Sequence, residues 1–252
     1  MILFMGGRSV ARPGSVGAFV GRGEALHPDE IQLQSRRIAS MLARYVAAQL
    51  RRPSGRVGHL FGRLLNRANR GMNRRAVAHL DVRSGQRLVD VGFGGGVGID
   101  AMLDVSDDIQ IDGVDFSEAM VAQQRARLGP QIGRGQVSLQ MGDVADLPFG
   151  DATFQRALSV NTIYFWPDAV AGLREILRVL TPGGRLVLGC ATKQQLERSP
   201  PAKHGFAHYD ERDVTAMLRE AGFCEVEQAT PRDEPFFFSI AHRPASSDPA
   251  GR

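Results

Sequence analysis

The sequence predicts an α/β protein with a seven-stranded, mostly parallel sheet, an antiparallel C-terminal strand and an N-terminal helical extension. From residue 81 onward, short aliphatic runs alternate with segments of helical period, as in a parallel sheet covered by helices on both faces. A glycine-rich loop separates the first run from the first helical segment, where α/β proteins bind ligands. A chain of 252 residues with 43% hydrophobic residues can bury such a core.

Seven segments have the composition of strands. In chain order they are QRLVDVG, IQIDGVD, QVSLQMGD, FQRALSVN, GGRLVLGCAT, CEVEQAT and FFFSIAHR. Helices are predicted near residues 96–104, from Ser117 onward, over residues 167–180 and in ERDVTAMLREAG. No helix separates the last two strands, which predicts an antiparallel edge.

The rest of the chain divides into three segments. Residues 1–27 are rich in Gly, Ser, Arg and Pro and are predicted to be a flexible leader. Residues 28–80 form the helical extension, which begins with a predicted helix over 28–52 whose apolar residues recur at helical spacing. The predicted main domain covers residues 81–243, and residues 244–252 are a predicted tail.

The composition limits the classes of function. No apolar run is long enough for a membrane helix, and MILFM is too short for a signal-peptide core. Two cysteines, Cys190 and Cys224, form no metal-binding pattern or disulfide framework, which favours a cytoplasmic protein without a metal. Residues 36–87 contain thirteen arginines and one acid, Asp81. This segment is interpreted as a solvated helix face, a site for an anionic acceptor or a peripheral membrane contact. Nucleic acid is disfavoured, because no RNA-binding module is recognisable.

The stretch RLVDVGFGGGVGID, at residues 87–100, places five glycines in a loop between a strand and a helix. Glycine lets the main chain approach a ligand closely, and the helix start offers free N–H groups. The dinucleotide pattern G-x-G-x-x-G does not fit, because Val97 or Ile99 stands where its third glycine belongs. The spacing is G-x-G-x-G, preceded by Asp90.

Five segments in order resemble the motifs of class I S-adenosylmethionine-dependent methyltransferases. They are VDVGFGGG, GVDFSEAM, QMGDVADLPFGDATFQRALS, SVNTIYFWPD and EILRVLTPGGRLVLG. The set is most similar to the small-molecule branch of ubiquinone- and menaquinone-biosynthesis enzymes, the UbiE-like or type 11 methyltransferases. The resemblance covers roughly residues 81–243 and implies a Rossmann-like fold with S-adenosyl-L-methionine as cofactor.

The resemblance also implies a set of cofactor-binding residues: Asp90, Gly92, Gly94, Gly96, Asp115, Phe116, Asp143, Val144, Ser159 and Asn161. In the family, the acid at Asp90 orients the methionine amino group and the acid at Asp115 accepts from the ribose hydroxyls. Asp143 and the backbone of Val144 would contact the adenine ring. Phe116 either packs on the adenine face or simply covers the sheet edge.

The acceptor side is less specific. Thr162, Tyr164 and Trp166 follow the fourth strand and are predicted to line the acceptor pocket, and Tyr164 and His208 are the predicted catalytic residues. NTIY departs from the Asn/Asp-Pro-Pro-aromatic tetrad of enzymes that methylate planar nitrogens. The predicted function is in-line transfer of a methyl group to an O, N, S or C atom of a small hydrophobic acceptor. The alternatives are an RNA- or ribosome-directed methyltransferase and a cofactor-binding protein without catalysis.

Overall fold

A computed structural model of the chain describes residues 69–199 and 207–245. Its strands are β1 (Gln86–Val91), β2 (Ile109–Asp115), β3 (Val137–Met141), β4 (Phe154–Val160), β5 (Leu180–Ala191), β6 (Cys224–Ala229) and β7 (Phe236–His242). Its helices are α1 (residues 69–80), α2 (Val97–Leu103), α3 (Glu118–Arg127), α4 (Gly129–Gly133), α5 (Ala169–Val179), α6 (Lys193–Arg198) and α7 (Glu211–Ala221). A short 3-10 turn spans Ile163–Phe165.

The seven strands form one sheet in the order β3-β2-β1-β4-β5-β7-β6. Strands β1 to β5 are parallel, and β7 runs antiparallel to both β5 and β6. This topology confirms the predicted fold class. After β3, the chain crosses to the other side of β1, so that β1 has β2 on one side and β4 on the other. Such a reversal opens a crevice at the carboxyl ends of the strands, where α/β proteins bind ligands.

Apolar side chains cover both faces of the sheet. On one face, Leu173 of α5 and Leu218 of α7 are fully buried against the strands. On the other face, Leu80 of α1 and Ile99 of α2 are equally buried. Helix α1, the only part of the predicted extension among the described residues, is therefore part of the same core as the sheet. No helix among the described residues is long and apolar enough to cross a bilayer.

Local capping residues determine where α5 and α7 begin and where α7 ends. Helix α5 starts at Ala169 rather than at residue 167, because the Asp168 carboxylate accepts a hydrogen bond from the backbone N–H of Ala171. Helix α7 begins with a reciprocal pair in which the side chains of Asp210 and Asp213 each accept from the other's backbone N–H. It ends at Gly222, whose φ of 103° suits glycine.

Three elements of the structure were absent from the prediction. They are α4, α6 and the 3-10 turn, which have five, six and three residues. Elements this short present no sustained apolar period, which is the signal that identifies a helix in a sequence. The predicted helix over 28–52 lies outside the described residues, and the domain boundaries remain predictions.

Candidate cofactor and acceptor site

The glycine loop after β1 folds into a tight turn at the crevice. Gly92, Gly94 and Gly96 all have positive φ angles, of 77°, 47° and 74°, which side-chain-bearing residues rarely adopt. The backbone N–H of Gly92 donates to the Val114 carbonyl at 2.7 Å, which attaches the loop to β2. A Cβ on Gly92 would lie 2.5 Å from the methyl carbon of Thr162. The high frequency of glycine in this loop therefore has two causes: the positive φ angles, and the lack of space for a side chain at Gly92.

Asp115, the last residue of β2, is a buried carboxylate that supports this loop. It is 6% exposed, and its two oxygens accept from the backbone N–H groups of Gly94 and Ser117, each at 2.8 Å. Burial raises the pKa of Asp115, while the two N–H donors act in the opposite direction. Each oxygen keeps one further lone pair. The carboxylate can therefore accept from two more donors, such as a pair of vicinal hydroxyls.

Asp90, near the end of β1, is a buried carboxyl without a hydrogen-bond partner among the described residues. It is 4% exposed, and burial together with the charge of Asp115 raises the pKa of Asp90 to about 8. A Cβ on Gly98 would lie 2.5 Å from the Asp90 Oδ2 atom, so glycine at that position makes room for the carboxyl. A buried carboxyl group without a donor is an unfavourable arrangement that a bound cation would relieve.

An apolar surface lies beside the two carboxyls, at the carboxyl ends of β2 and β3. Phe116 directly follows Asp115 and is 45% exposed, although most of the large apolar residues of this sheet are buried. Met141, which pairs with Asp115 across the strands, is 59% exposed. Asp143 is also exposed, and its carboxylate accepts from the Ala145 backbone N–H at 2.9 Å. An exposed phenylalanine beside a polar loop suits the flat face of an aromatic ligand.

The loop after β4 closes the other side of the crevice. Ser159 is buried and donates from its hydroxyl to the Val91 carbonyl at 2.7 Å. Its oxygen is also hydrogen-bonded to the Thr162 hydroxyl, which must then be the donor because a serine hydroxyl has one hydrogen. The two hydroxyls thus hold the loop against the end of β1, and the methyl group of Thr162 covers Gly92.

Tyr164 lies beneath this loop. It is 4% exposed, and its hydroxyl contacts the Ala191 backbone N–H and, at 3.2 Å, the Asn161 Oδ1 atom. Burial raises the pKa of Tyr164 well above its usual value. A catalytic role for Tyr164 is a prediction that this environment disfavours, because the ring is enclosed in the core and the phenol does not ionise near neutral pH.

Trp166 and His208 occupy the outer part of the same region. Trp166 is half-buried and packs at the start of α5, where its ring would lie 3.0 Å from a Cβ on Gly172, beside Val144. His208 is half-buried in the segment before α7. The preceding residue, Ala207, donates from its backbone N–H to the Tyr164 carbonyl at 3.1 Å, which places this segment against the 3-10 turn.

Helix α1 supplies three residues that the sequence analysis did not identify as part of the site. The Asn69 Oδ1 atom lies 3.4 Å from the Asn161 Nδ2 atom, and the Met72 sulfur lies 3.5 Å from the same nitrogen. The Asn73 Oδ1 atom would be 3.3 Å from a Cβ on Gly98, next to Asp90. The signal in the sequence was the spacing of Asn69 and Asn73, which are four residues apart and therefore lie on the same face of the helix.

Comparison with known proteins assigns the family. Residues 89–188 match the family model described as a methyltransferase domain. The O-methyltransferase rstn1 of Aspergillus nomiae is 30% identical over 162 residues, which cover 59% of this chain and 69% of that protein. The chain belongs to the class I S-adenosylmethionine-dependent methyltransferases.

Other methyltransferases match over part of their length. The O-methyltransferase resE of Aspergillus sclerotiorum is 31% identical across 66% of this chain and 65% of its own length. The ubiquinone/menaquinone biosynthesis C-methyltransferase UbiE of Geobacter sulfurreducens is 35% identical across 48% and 47%. The chain therefore spans from about half to about two thirds of the length of these relatives. A crystal structure of a methyltransferase from Aquifex aeolicus shares the fold, with a TM-score of 0.59, 20% identity and coverage of 68% and 89%.

The residues of this methyltransferase fit the family's cofactor. Within the described part of the chain the buried Asp90 carboxyl has no hydrogen-bond donor, and the α-ammonium group of S-adenosylmethionine is a cation. Asp115 has two oxygens that can still accept, and a ribose offers two vicinal hydroxyls. The three predicted glycines and both acids lie together at the crevice, with Phe116 exposed beside them. Among the described residues, no group of three or more His, Cys, Asp or Glu side chains could hold a metal ion.

Proposed function

We propose that the chain transfers the methyl group of S-adenosylmethionine to a nucleophilic atom of a small, mostly hydrophobic acceptor. The observation that carries this proposal is the pair of buried carboxyls, Asp90 and Asp115, at the glycine turn of the crevice. The relatives named as O-methyltransferases and as a quinone-biosynthesis C-methyltransferase support a small-molecule acceptor.

In this proposal, each predicted cofactor residue has a task that its surroundings permit. Asp115 accepts from the ribose hydroxyls while the Gly94 and Ser117 N–H groups hold its oxygens in place. Asp90 gives up its proton and holds the ammonium group. Phe116 covers one face of the adenine ring, and the exposed carboxylate of Asp143 accepts from its amino group.

The bound cofactor supplies an electrophilic methyl group on a positively charged sulfur. The protein then has to orient an acceptor in line behind that methyl group and exclude water. The loop after β4 and helix α1 form the wall that faces the glycine turn, with the half-buried Trp166 at its outer end. We assign proton removal from a protonated acceptor to His208, which lies in the segment packed against the 3-10 turn.

The test is transfer of labelled methyl groups from the cofactor to small molecules extracted from the source cell, followed by mass spectrometry. The expected result is label in one or a few small molecules and equimolar S-adenosylhomocysteine. Asp115→Ala should reduce labelling at limiting cofactor by roughly ten- to 150-fold, and a reaction without protein serves as the control for background transfer. The proposal fails if the protein binds S-adenosylhomocysteine yet labels no small molecule above that background.

A further inference from the structure

A chain of hydrogen bonds runs from the end of β5 through the loop after β4 to helix α1. The Ala191 backbone N–H donates to the Tyr164 hydroxyl oxygen, and the Tyr164 hydroxyl contacts the Asn161 Oδ1 atom at 3.2 Å. The Asn161 Nδ2 atom then faces Asn69 of α1.

The direction of this chain follows from its first member. A backbone N–H can only donate, so the Tyr164 oxygen is the acceptor in its bond with Ala191. The single hydrogen of the Tyr164 hydroxyl is then available for Asn161, whose contacting atom must accept. The side-chain oxygen of Asn161 therefore faces Tyr164, and its NH2 group faces helix α1. Tyr164 thus selects one of the two orientations of the Asn161 amide.

The NH2 group of Asn161 makes only long contacts within the described residues. Its nitrogen is 3.4 Å from the Asn69 Oδ1 atom and 3.5 Å from the Met72 sulfur, which is a weak acceptor. Each of the two N–H donors of this half-buried group can therefore still form a shorter hydrogen bond. The nearby hydroxyl groups of Ser159 and Thr162 cannot serve as donors in the same way, because each already donates its hydrogen to an acceptor of the protein.

The position of Asn161 places this donor at the crevice. Its φ is 59°, and its backbone N–H donates to the Gly189 carbonyl at 2.8 Å, which fixes the residue where β4 and β5 end. The next residue, Thr162, covers Gly92 of the glycine turn. The Asn161 amide thus contacts helix α1, while the residue that follows it contacts the glycine turn.

We infer that Asn161 donates a hydrogen bond from its amide to an oxygen atom of a bound ligand, and that Tyr164 is a positioning residue that orients this amide. The oxygen belongs either to the carboxylate of the cofactor or to a hydroxyl or carbonyl group of the methyl acceptor, and both sources offer the same chemistry. The inference rests on the proposed function, because it requires a ligand in the crevice. The inference assigns Tyr164 a role that is compatible with its burial.

The test compares four variants by calorimetry with S-adenosylhomocysteine and by methyl labelling. Asn161→Gly removes the amide and tolerates the positive φ, whereas alanine would add backbone strain. Asn161→Asp keeps the shape and the acceptor for Tyr164 but replaces the donor with an oxygen. Tyr164→Phe removes the hydroxyl alone, and Tyr209→Phe is the matched control for loss of a tyrosine hydroxyl elsewhere in the chain.

If the oxygen belongs to the cofactor carboxylate, Asn161→Gly should weaken S-adenosylhomocysteine binding by roughly ten- to 150-fold, the range for a hydrogen bond to a charged group, and Tyr164→Phe should weaken it by a smaller factor. Asn161→Asp should weaken it further, because two oxygens would face each other. 5′-Methylthioadenosine, which lacks the carboxylate, should bind all variants equally. If the oxygen belongs to the acceptor, S-adenosylhomocysteine binding should stay constant and the acceptor KM should rise by roughly two- to tenfold, the range for a neutral hydrogen bond.

A double variant separates positioning from a merely structural role. In the Asn161→Gly background, Tyr164→Phe should have no further effect on ligand binding, because no amide remains to be oriented. Tyr164→Phe should still lower the melting temperature in the Asn161→Gly background, because the bond from the Ala191 N–H to the Tyr164 hydroxyl is lost there too. Additive losses of binding, or unchanged binding and KM in Asn161→Asp and Tyr164→Phe, would overturn the inference. If the wild-type chain labels no acceptor, the proposed function fails. The effect of the variants on S-adenosylhomocysteine binding, measured by calorimetry, then still tests the inference.

Discussion

Neutralising Asp90 should have opposite effects on cofactor binding and on stability. The Asp90 carboxyl is buried without a hydrogen-bond partner among the described residues, and its pKa is raised to about 8 by burial and by Asp115. In the folded protein without cofactor it is therefore protonated at neutral pH. Binding of an ammonium group requires the ionised form, so cofactor binding must release this proton.

The size of the effect follows from the two ionisations involved. A carboxyl with a pKa of about 8 is only about 1% ionised at pH 6, whereas an α-amino group with a pKa of about 7.8 is then fully charged. The apparent affinity scales with the fraction of protein and ligand in the competent states. Binding of S-adenosylhomocysteine should therefore be strongest near pH 8, be about 20-fold weaker at pH 6, and release a net amount of about 0.8 proton at pH 7.

Calorimetry in buffers of different ionisation enthalpy measures both the affinity and the proton release. Asp90→Asn should bind more weakly at pH 8 and show no loss of affinity between pH 7 and pH 6. Asp112→Asn is the matched control, because Asp112 is an equally buried acid of the same sheet but is paired with Arg87 at 2.8 Å. An affinity that stays constant from pH 6 to pH 8 in the wild type would refute the assignment of Asp90.

The same carboxyl sets a pH dependence of stability. Its pKa is about 8 in the folded state, above the ordinary value of 3.8, so the folded state binds more protons than the unfolded state between these two values. The contribution of Asp90 to the free energy of unfolding should therefore decrease as the pH rises from about 4 to 8, by at most about 1.4 kcal/mol per pH unit. Urea unfolding should show that Asp90→Asn removes this decrease and is more stable than the wild type at pH 8.

Three further substitutions test other parts of the site. Asp115→Ala should weaken S-adenosylhomocysteine binding by about 1.5–3 kcal/mol by calorimetry, the range for hydrogen bonds to a charged group, and unchanged affinity would contradict its role. Gly98→Ala should destabilise the protein to urea by about 1–3 kcal/mol, because the new methyl group would lie 2.5 Å from the Asp90 Oδ2 atom. Gly133→Ala meets nothing within 4 Å and should be neutral or stabilising, so equal losses in both glycine variants would argue against the steric reason. Phe116→Ala should weaken S-adenosylhomocysteine binding by about 0.5–1.5 kcal/mol while leaving the urea midpoint nearly unchanged, because the ring is half exposed; a large loss of stability would show that it packs in the core.

The fold could be predicted from the sequence because most residues of the parallel strands β1, β2 and β5 are buried. Such strands read as continuous aliphatic runs, and all seven predicted runs are strands of the sheet. The helix ends were also largely encoded locally, as Asp210 and Gly222 show. The short helix α4 was not predicted, because its five residues bury none of their side chains and give no pattern.

The site could be predicted only as far as it depends on strand ends. Asp90 and Asp115 come together because β1 and β2 are parallel neighbours, and the family motifs mark both positions. The contact between Asn69 and Asn161 joins residues 92 positions apart and depends on how α1 packs, which no local pattern specifies. Tyr164 was predicted to line the acceptor pocket, and no local pattern specifies that its ring is 4% exposed beneath the loop.

The order of strands at the C-terminal side of the sheet has a consequence for synthesis of the chain. Strand β6 precedes β7 in the sequence, but among the strands that the structure describes it pairs only with β7, which lies between β5 and β6. During translation β6 therefore leaves the ribosome before β7, the strand with which it pairs. Until β7 follows, the backbone N–H and C=O groups on both edges of β6 lack their strand partner. The cofactor crevice is formed by β1, β2 and β4, which are all synthesised earlier, so a nascent chain could acquire its ligand-binding elements before its sheet is complete.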